Sequence, residues 1–461
     1  MSEISWDHLP TTFQDAATIC RLMDVRYIWI DSLCILQEFD GITSDEFDTT
    51  RQDFANENAM MAQTYRNSHF TISADMSTNM DSGMFSTMPI DCQRIDFSGS
   101  TKTICFRTSV DHDEKEPPEL ETRGWTFQEF LLPSRVLHFG PFDVEWRCRE
   151  RHTCECGKMD LKNGRRSPWH RRHTLAEIAA NIPENESKAL VWWEEVVYAY
   201  TQRDLTNATD KLPALSGMAQ LYRQGCQDTY LAGLWKGSLL HDLCWHYTKK
   251  DGLAGSGGVG CRPAQYRAPS WSWASLDIKS RCCFWWVGRT ETHPRPSVDV
   301  PVPVCKIFEA FCQPTTADPT GEVCYGFLDI EAALISAKIG PRHWNPYTEV
   351  EKPWTIDRID TNLSISFFKP DCAPVDDDLS IGGQIFCVPI LEAVSRTGLE
   401  RGCLVLKKLY TNQYQRIGFC VLNAGKPKTY SWESHLLADG NSNFNAQDYA
   451  LPDKKARIII I

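Results

Sequence analysis

The chain has 461 residues, enough for two or three packed domains. It is 42% hydrophobic and 23% charged, with 16 Trp, 14 Tyr and 21 Phe, which is too apolar and aromatic for a disordered chain. Its 48 basic and 60 acidic side chains leave a formal net charge of -12, a field that repels nucleic-acid phosphates and anionic membrane surfaces.

No run approaches the roughly 18 apolar residues that span a bilayer, and Met1-Ser2-Glu3 does not open a secretory leader. The 19 cysteines, an odd number in a long chain, suit buried thiols in a reducing compartment. The expectation is a cytoplasmic protein with neither a membrane nor a nucleic-acid partner.

In chain order, residues 11–23 place Phe13, Ala16, Ala17, Cys20 and Met23 on one helical stripe after Pro10. Residues 26–30 (Arg-Tyr-Ile-Trp-Ile) read as a strand covered on both faces, ending at Asp31. After an acidic loop over 38–50, helical spacing returns over 51–65, and 70–74 reads as a second strand. This alternation implies a βαβ unit in a parallel sheet, with ligands bound beyond the carboxyl ends of its strands. Asp31, Ser32 and Asp75 stand at such ends.

Residues 124–148 are aromatic and apolar, and 156–173 form a basic, turn-rich stretch that reads as a solvated linker. Residues 189–222 look helical, broken at Leu212-Pro213. Beyond about Asp299, the alternating runs 322–330, 384–390, 403–406 and 416–422 suggest a β-rich region. The expected division is an α/β domain over 1–150, a basic linker over 151–188, and a helical, then β-rich region over 189–461.

Candidate chemistry is sparse. Gly255-Ser256-Gly257-Gly258-Val259-Gly260 fits a dinucleotide fingerprint in letters only, because no strand precedes it and no helix follows. Cys148, His152, Cys154 and Cys156 lie within nine residues, but the tight C-x-C has no matching C-x-x-C elsewhere, so buried or loop thiols are expected and no metal. Adjacent Cys282-Cys283 cannot easily converge on one ion, and no local signature marks a Cys–His nucleophile.

Glu57 is the most informative residue. Phe54, Glu57, Met60, Met61 and Thr64 share one helix face, so this carboxylate stands among apolar side chains. It is either functional, with burial weakening its acidity, or ion-paired to Arg51, Arg66 or Arg123. Gln128 and Glu129 are weaker candidates of the same kind, and Arg123 suits either a carboxylate or a ligand phosphate.

Three stretches carry a family resemblance. They are Tyr27-Ile28-Trp29-Ile30-Asp31-Ser32-Leu33-Cys34-Ile35-Leu36-Gln37; Asp53-Phe54-x-x-Glu57-x-x-Met60 with Tyr65-Arg66-Asn67; and Arg123-Gly124-Trp125-Thr126-Phe127-Gln128-Glu129 through Arg135-Val136-Leu137-His138-Phe139. In this order they resemble the successive motifs of the fungal heterokaryon incompatibility (HET) domain. Later blocks are similar to those of full-length members: Tyr200-x-x-Arg203-x-Leu205-Thr206, Asp210 to Gly217, Ala232-Gly233-Leu234-Trp235, Ala268 to Ala274, and Tyr414-x-Arg416-Ile417-Gly418-Phe419.

The resemblance implies a protein of fungal nonself recognition that triggers growth arrest and cell death, acting through protein partners, a second copy of the chain among them. It further implies a parallel sheet flanked by helices, like that of Toll/interleukin-receptor (TIR) domains, several of which cleave NAD with a helix-borne glutamate. By that analogy Glu57 would sit by the ribose as the catalytic carboxylate. Asp31, Ser32, Arg123 and Glu129 would bind the ligand, with NAD a substrate rather than a cofactor.

Family members usually carry an L-S-Y-x-W-G strand before the L-P-x-T-F helix. Here only a few residues precede Leu9-Pro10-Thr11-Thr12-Phe13, and the family's usual Trp is Phe54, so a sheet short of one strand is expected. Three readings stand: a recognition module, an NAD glycohydrolase using Glu57, and an accessory protein of a fungal secondary-metabolite cluster on a borrowed scaffold.

Overall fold

The computed structural model describes residues 4–37, 43–85, 93–96, 103–106, 119–140, 143–148, 150–157, 186–249, 260–278, 282–286, 301–341, 343–345, 350–352, 354–359, 364–372, 379–395, 398–424, 451 and 455–461. The chain divides into two compact units. The first holds Met1–Ile182 with Arg203–Leu205 and Ala214–Met218, and the second holds the remainder. Most of the basic stretch over 156–173 and the glycines at 255, 257 and 258 lie outside the described residues.

In the first unit, helix α1 (Thr11–Leu22) follows Pro10, whose fixed φ suits a helix entrance. It ends at Asp24, which takes a left-handed φ of 58°. Its buried face is Ala16, Ile19 and Cys20. Met23, expected on that stripe, lies past the helix end and is exposed. Ala16 and Ile19 pack with Met84 and Phe139, against Phe70, Ile72, Leu137 and Val144.

After a single turn, α2 (Asp31–Cys34), comes the long helix α3 (Ser44–Asn67). Thr43 and Glu46 open it with a reciprocal capping box, Thr43 N–H donating to Glu46 Oε2 at 3.0 Å. Among its described side chains Thr50, Met61 and Ala62 are buried, whereas Phe54 and Met60, expected on the core face, are exposed. The packed face is therefore rotated toward Ala62 and Tyr65.

Strand β1 (Thr71–Ser73) follows, then a hairpin of β2 (Gln93–Asp96) and β3 (Thr103–Phe106), the turn α4 (Glu119–Thr122) and α5 (Thr126–Leu131). Strands β4 (Arg135–Phe139), β5 (Val144–Cys148) and β6 (His152–Cys154) complete a four-stranded sheet in the order β1-β4-β5-β6. Only β1 and β4 run parallel, and the other neighbours are antiparallel. The sheet is thus mixed, not the all-parallel sheet expected.

Residues 26–30 do not join it. They belong to no strand, with Tyr27 83% and Ile28 41% exposed, so the expected doubly covered strand is absent. An extended backbone becomes a strand only when a neighbour takes its hydrogen bonds, and Arg26–Ile30 find no ladder partner among the described residues.

Asp75, just past β1, is buried. It accepts from the Ser73 hydroxyl and lies 3.2 Å from His138 Nδ1, whose ring stacks on Phe130 at 5.2 Å. This ties the loop after β1 to the neighbouring strand.

The second unit holds helix Glu186–Tyr200, the 3-10 turn Ala208–Lys211 and, from Ala219 onward, helix Ser216–Cys226. Aromatic rings fill the core: Tyr222 stacks on Trp235 at 3.9 Å, and Trp193 meets Trp235 edge-on at 5.3 Å. Gly233, at φ 97°, offers one carbonyl to both Trp193 Nε1 (2.9 Å) and Trp273 Nε1 (3.0 Å). A Cβ there would fall 2.7 Å from Trp273 Nε1, which explains a glycine at the centre of Ala232-Gly233-Leu234-Trp235.

The largest sheet of this unit has ten strands. Its main path runs Lys306–Pro314, Val323–Ala333, Lys455–Ile460, Gln413–Ala424, Gly398–Lys408, Gln384–Ser395, Ile335–Gly340, Thr355–Ile359. The four runs expected as strands over 322–330, 384–390, 403–406 and 416–422 all fall on this path. Ile335, Ile385, Cys387, Cys403, Val405, Ile417 and Cys420 pack its core. Among the described residues no helix is long and apolar enough to cross a membrane.

Candidate functional site

The motif Arg123-Gly124-Trp125-Thr126-Phe127-Gln128-Glu129 is a tight corner whose every residue has a local task. Gly124 N–H donates to Asp204 O at 2.7 Å, and Asp204 N–H to Thr122 O at 2.6 Å, so Arg203–Leu205 runs directly against the corner. The Thr126 hydroxyl bonds the Leu120 and Arg123 carbonyls and accepts from Arg203 Nη1 at 3.1 Å. Gln128 is buried, its amide 3.3 Å from Met61 Sδ, and joins α5 to α3. It is a packing residue.

Glu129 stays partly open to solvent. The Tyr65 hydroxyl, from the last turn of α3, donates to its carboxylate. Asp31, at the start of α2, repels it, whereas Arg123 and Arg203 attract it. Burial is the largest influence, and with Asp31 it outweighs the two cations and pushes Glu129 up to about 7. Burial first, then the charges of Glu129 and Asp31, push the Tyr65 hydroxyl well above its ordinary value.

Trp29 seats its ring edge-on against Tyr65 at 5.6 Å, and Leu36 N–H donates to Asp53 Oδ2 at 2.9 Å. Residues 29–36 therefore run along α3 from Tyr65 back toward Asp53, which is what carries Asp31 to Glu129.

Of the residues singled out from sequence, Asp31 and Arg123 are both brought within electrostatic reach of Glu129. Ser32 is exposed, and its N–H donates to Asp31 Oδ1 at 2.7 Å. Glu57 is half-buried on α3, eight residues before Tyr65, about 12 Å along the helix axis at the usual rise. It is not among the groups that set the acidity of Glu129.

Tyr65 and Arg203 complete the cluster without having been singled out as site residues. Arg203 reaches it from outside the first three motifs, with its guanidinium 5.1 Å from the Phe127 ring centroid. Chemically, two guanidinium groups suit an anionic ligand, and a carboxyl balanced near neutrality can take or give a proton.

Apart from Arg203, these residues come from the three motifs singled out in the sequence. Residues 1–129 match the family described as heterokaryon incompatibility protein (HET). This segment is a HET domain. The match spans 129 of 461 residues and ends on Glu129, so the HET domain supplies Asp31, Tyr65, Arg123 and Glu129, and Arg203 comes from beyond it. Searches of the curated proteins and of the solved structures return no match.

Proposed function

We propose that this protein acts in heterokaryon-incompatibility-type nonself recognition in a filamentous fungus, signalling growth arrest and cell death, and that its HET domain works by protein contacts. One observation carries the reading. Between residues 22 and 36 the domain exposes six large apolar side chains: Leu22 (80%), Met23 (52%), Tyr27 (83%), Ile28 (41%), Leu33 (44%) and Leu36 (52%). A soluble surface rarely concentrates apolar groups in this way unless a partner covers them. A second copy of the chain is one such partner, which concentration-dependent sedimentation detects.

The test is inducible expression of the full chain in hyphae, scored for growth arrest, beside a Tyr27→Glu, Ile28→Glu variant. Both positions are exposed, so the variant should melt with the parent protein. Arrest lost with the fold intact supports the reading, and arrest retained overturns it.

The Glu129 cluster favours a second reading, cleavage of a nucleotide such as NAD at its nicotinamide glycosidic bond, as in the TIR domains the family resembles. Departure of nicotinamide leaves an oxocarbenium-like centre that a carboxylate stabilises, and Arg123 and Arg203 suit a pyrophosphate. Assays of NAD consumption by the full chain, Glu57→Gln and Glu129→Gln, at low and high protein concentration, distinguish the two carboxylates. No turnover in any of them removes this reading and leaves the first intact.

A further inference from the structure

We propose that Asp143, Cys154 and Cys156 form a binding site for a thiophilic divalent cation of the zinc class. The site lies beyond the residues that match the HET family and apart from the Glu129 cluster. In the hairpin of β5 and β6, Cys154 pairs with Glu145. Asp143 precedes Glu145 by two residues, which places it on the same face of the strand.

The chain then turns back on itself. Glu155 N–H donates to Val144 O at 3.1 Å, Val144 N–H donates to Glu155 Oε2 at 3.1 Å, and Gly157, at φ 72°, donates its N–H to Cys154 O at 3.0 Å. This clamp brings Cys156 onto Cys154 and sets both beside Asp143. One donor atom from each of the three lies within 4.8 Å of the other two, and the sulfurs are 2.8 Å apart. Asp143 is buried and both cysteines are partly exposed, which gives an ion a route in.

The donor set selects the metal. Two thiolates and one carboxylate favour zinc over magnesium or calcium. At Zn–S bonds of about 2.3 Å, tetrahedral ligation holds two sulfurs about 3.8 Å apart, so the pair opens by about 1 Å as the ion enters. Glu145 holds His152 Nε2 at 3.2 Å, and among the described residues the group of possible ligands is these three. Cys148, the third cysteine of the group noted in the sequence, is five positions past Asp143, on the opposite face and about 17 Å along the strand. Asp143 takes its place.

The test is titration of the reduced, metal-free full chain with cobalt(II), followed by zinc. The expected result is one cobalt per chain, with a near-ultraviolet thiolate-to-cobalt charge-transfer band of two-thiolate intensity that zinc abolishes. Cys154→Ser and Cys156→Ser should each weaken binding by more than the roughly 10- to 100-fold that loss of an outer-shell partner causes. Asp143→Asn should weaken it while keeping the band, and Cys148→Ser should leave it unchanged. No band from the folded parent overturns the proposal, as does a band that survives the Cys154→Ser, Cys156→Ser double variant. A Cys154–Cys156 disulfide in metal-free chain as isolated from a zinc-replete cell also overturns it.

Discussion

The Tyr65 hydroxyl donates to the Glu129 carboxylate, joining the last turn of α3 to α5 at the point where Asp31 and Arg123 also act. A hydrogen bond given to a carboxylate favours its charged form. Tyr65→Phe removes that support, so Glu129 should titrate above its present value of about 7 and carry its proton in a larger fraction of molecules at pH 7. Infrared difference spectra of Tyr65→Phe against Tyr65→Phe, Glu129→Gln should show a stronger carboxylic C=O band than the parent pair.

The same raised value sets a pH dependence of stability. Glu129 titrates at about 7 in the folded chain, against about 4.3 for an unfolded glutamate. Between those values the folded state holds more protons than the unfolded, so this group's contribution is fully present below about pH 4.3 and is lost as pH rises through 7. Asp242, buried and pushed up to about 7, acts in the same direction. Urea unfolding from pH 5 to 8 should therefore show a smaller loss of stability for Glu129→Gln than for the parent, with the Asp242 contribution common to both.

Gly124 leaves no room for a side chain. A Cβ would lie 2.4 Å from Leu205 Cδ2 and 2.8 Å from its Cγ, with the Asp204 carbonyl at 3.4 Å behind them. Gly124→Ala should destabilise the first unit by about 1–3 kcal/mol through overpacking. Gly124→Ala with Leu205→Ala should recover part of that loss in denaturant melts.

Arg416 is fully buried in the second unit. It pairs with Asp371 at 3.1 Å, donates to Leu243 O (2.8 Å) and Trp245 O (2.6 Å), and lies 3.3 Å from the Trp245 ring centroid. Arg416→Met leaves the Asp371 charge buried, with Arg262 Nη2 at 3.9 Å its remaining cation among the described residues, and should destabilise by about 3–5 kcal/mol. Arg416→Lys should rescue little, because an ammonium cannot present the planar fork that reaches these acceptors together. Chemical denaturation of both variants checks the pair.

Strands were legible in the sequence where short apolar, β-branched runs stand between turns. The 384–390 and 416–422 runs both lie on long strands of the C-terminal sheet, where residues 387–390 and 416–422 are buried on both faces instead of alternating. Arg26–Ile30 shows why an apolar run by itself is insufficient. Its letters state what the segment prefers, whereas pairing depends on a neighbour that another part of the chain must supply.

The candidate site was legible as residue types. Asp31, Arg123 and Glu129 could be singled out, and the fold sets Glu129 beside Tyr65 and Asp31, with Glu57 farther along α3. Helical phase places Glu57 on a face without saying how much protein covers it, and burial is what weakens an acid. Arg203 escaped because its approach depends on the Gly124–Asp204 backbone contact, which has no sequence signature.

The place of Lys455–Ile460 has a consequence for biosynthesis. It lies between Val323–Ala333 and Gln413–Ala424, meeting one antiparallel and the other parallel, and Arg457 grips Asp329 across 128 positions of chain. Every other strand of that sheet leaves the ribosome before it. The nascent sheet must therefore wait with two unjoined edges until the last segment arrives, so closure of the second unit follows the synthesis of residue 460 and exposes the chain to chaperones and edge-to-edge association until then.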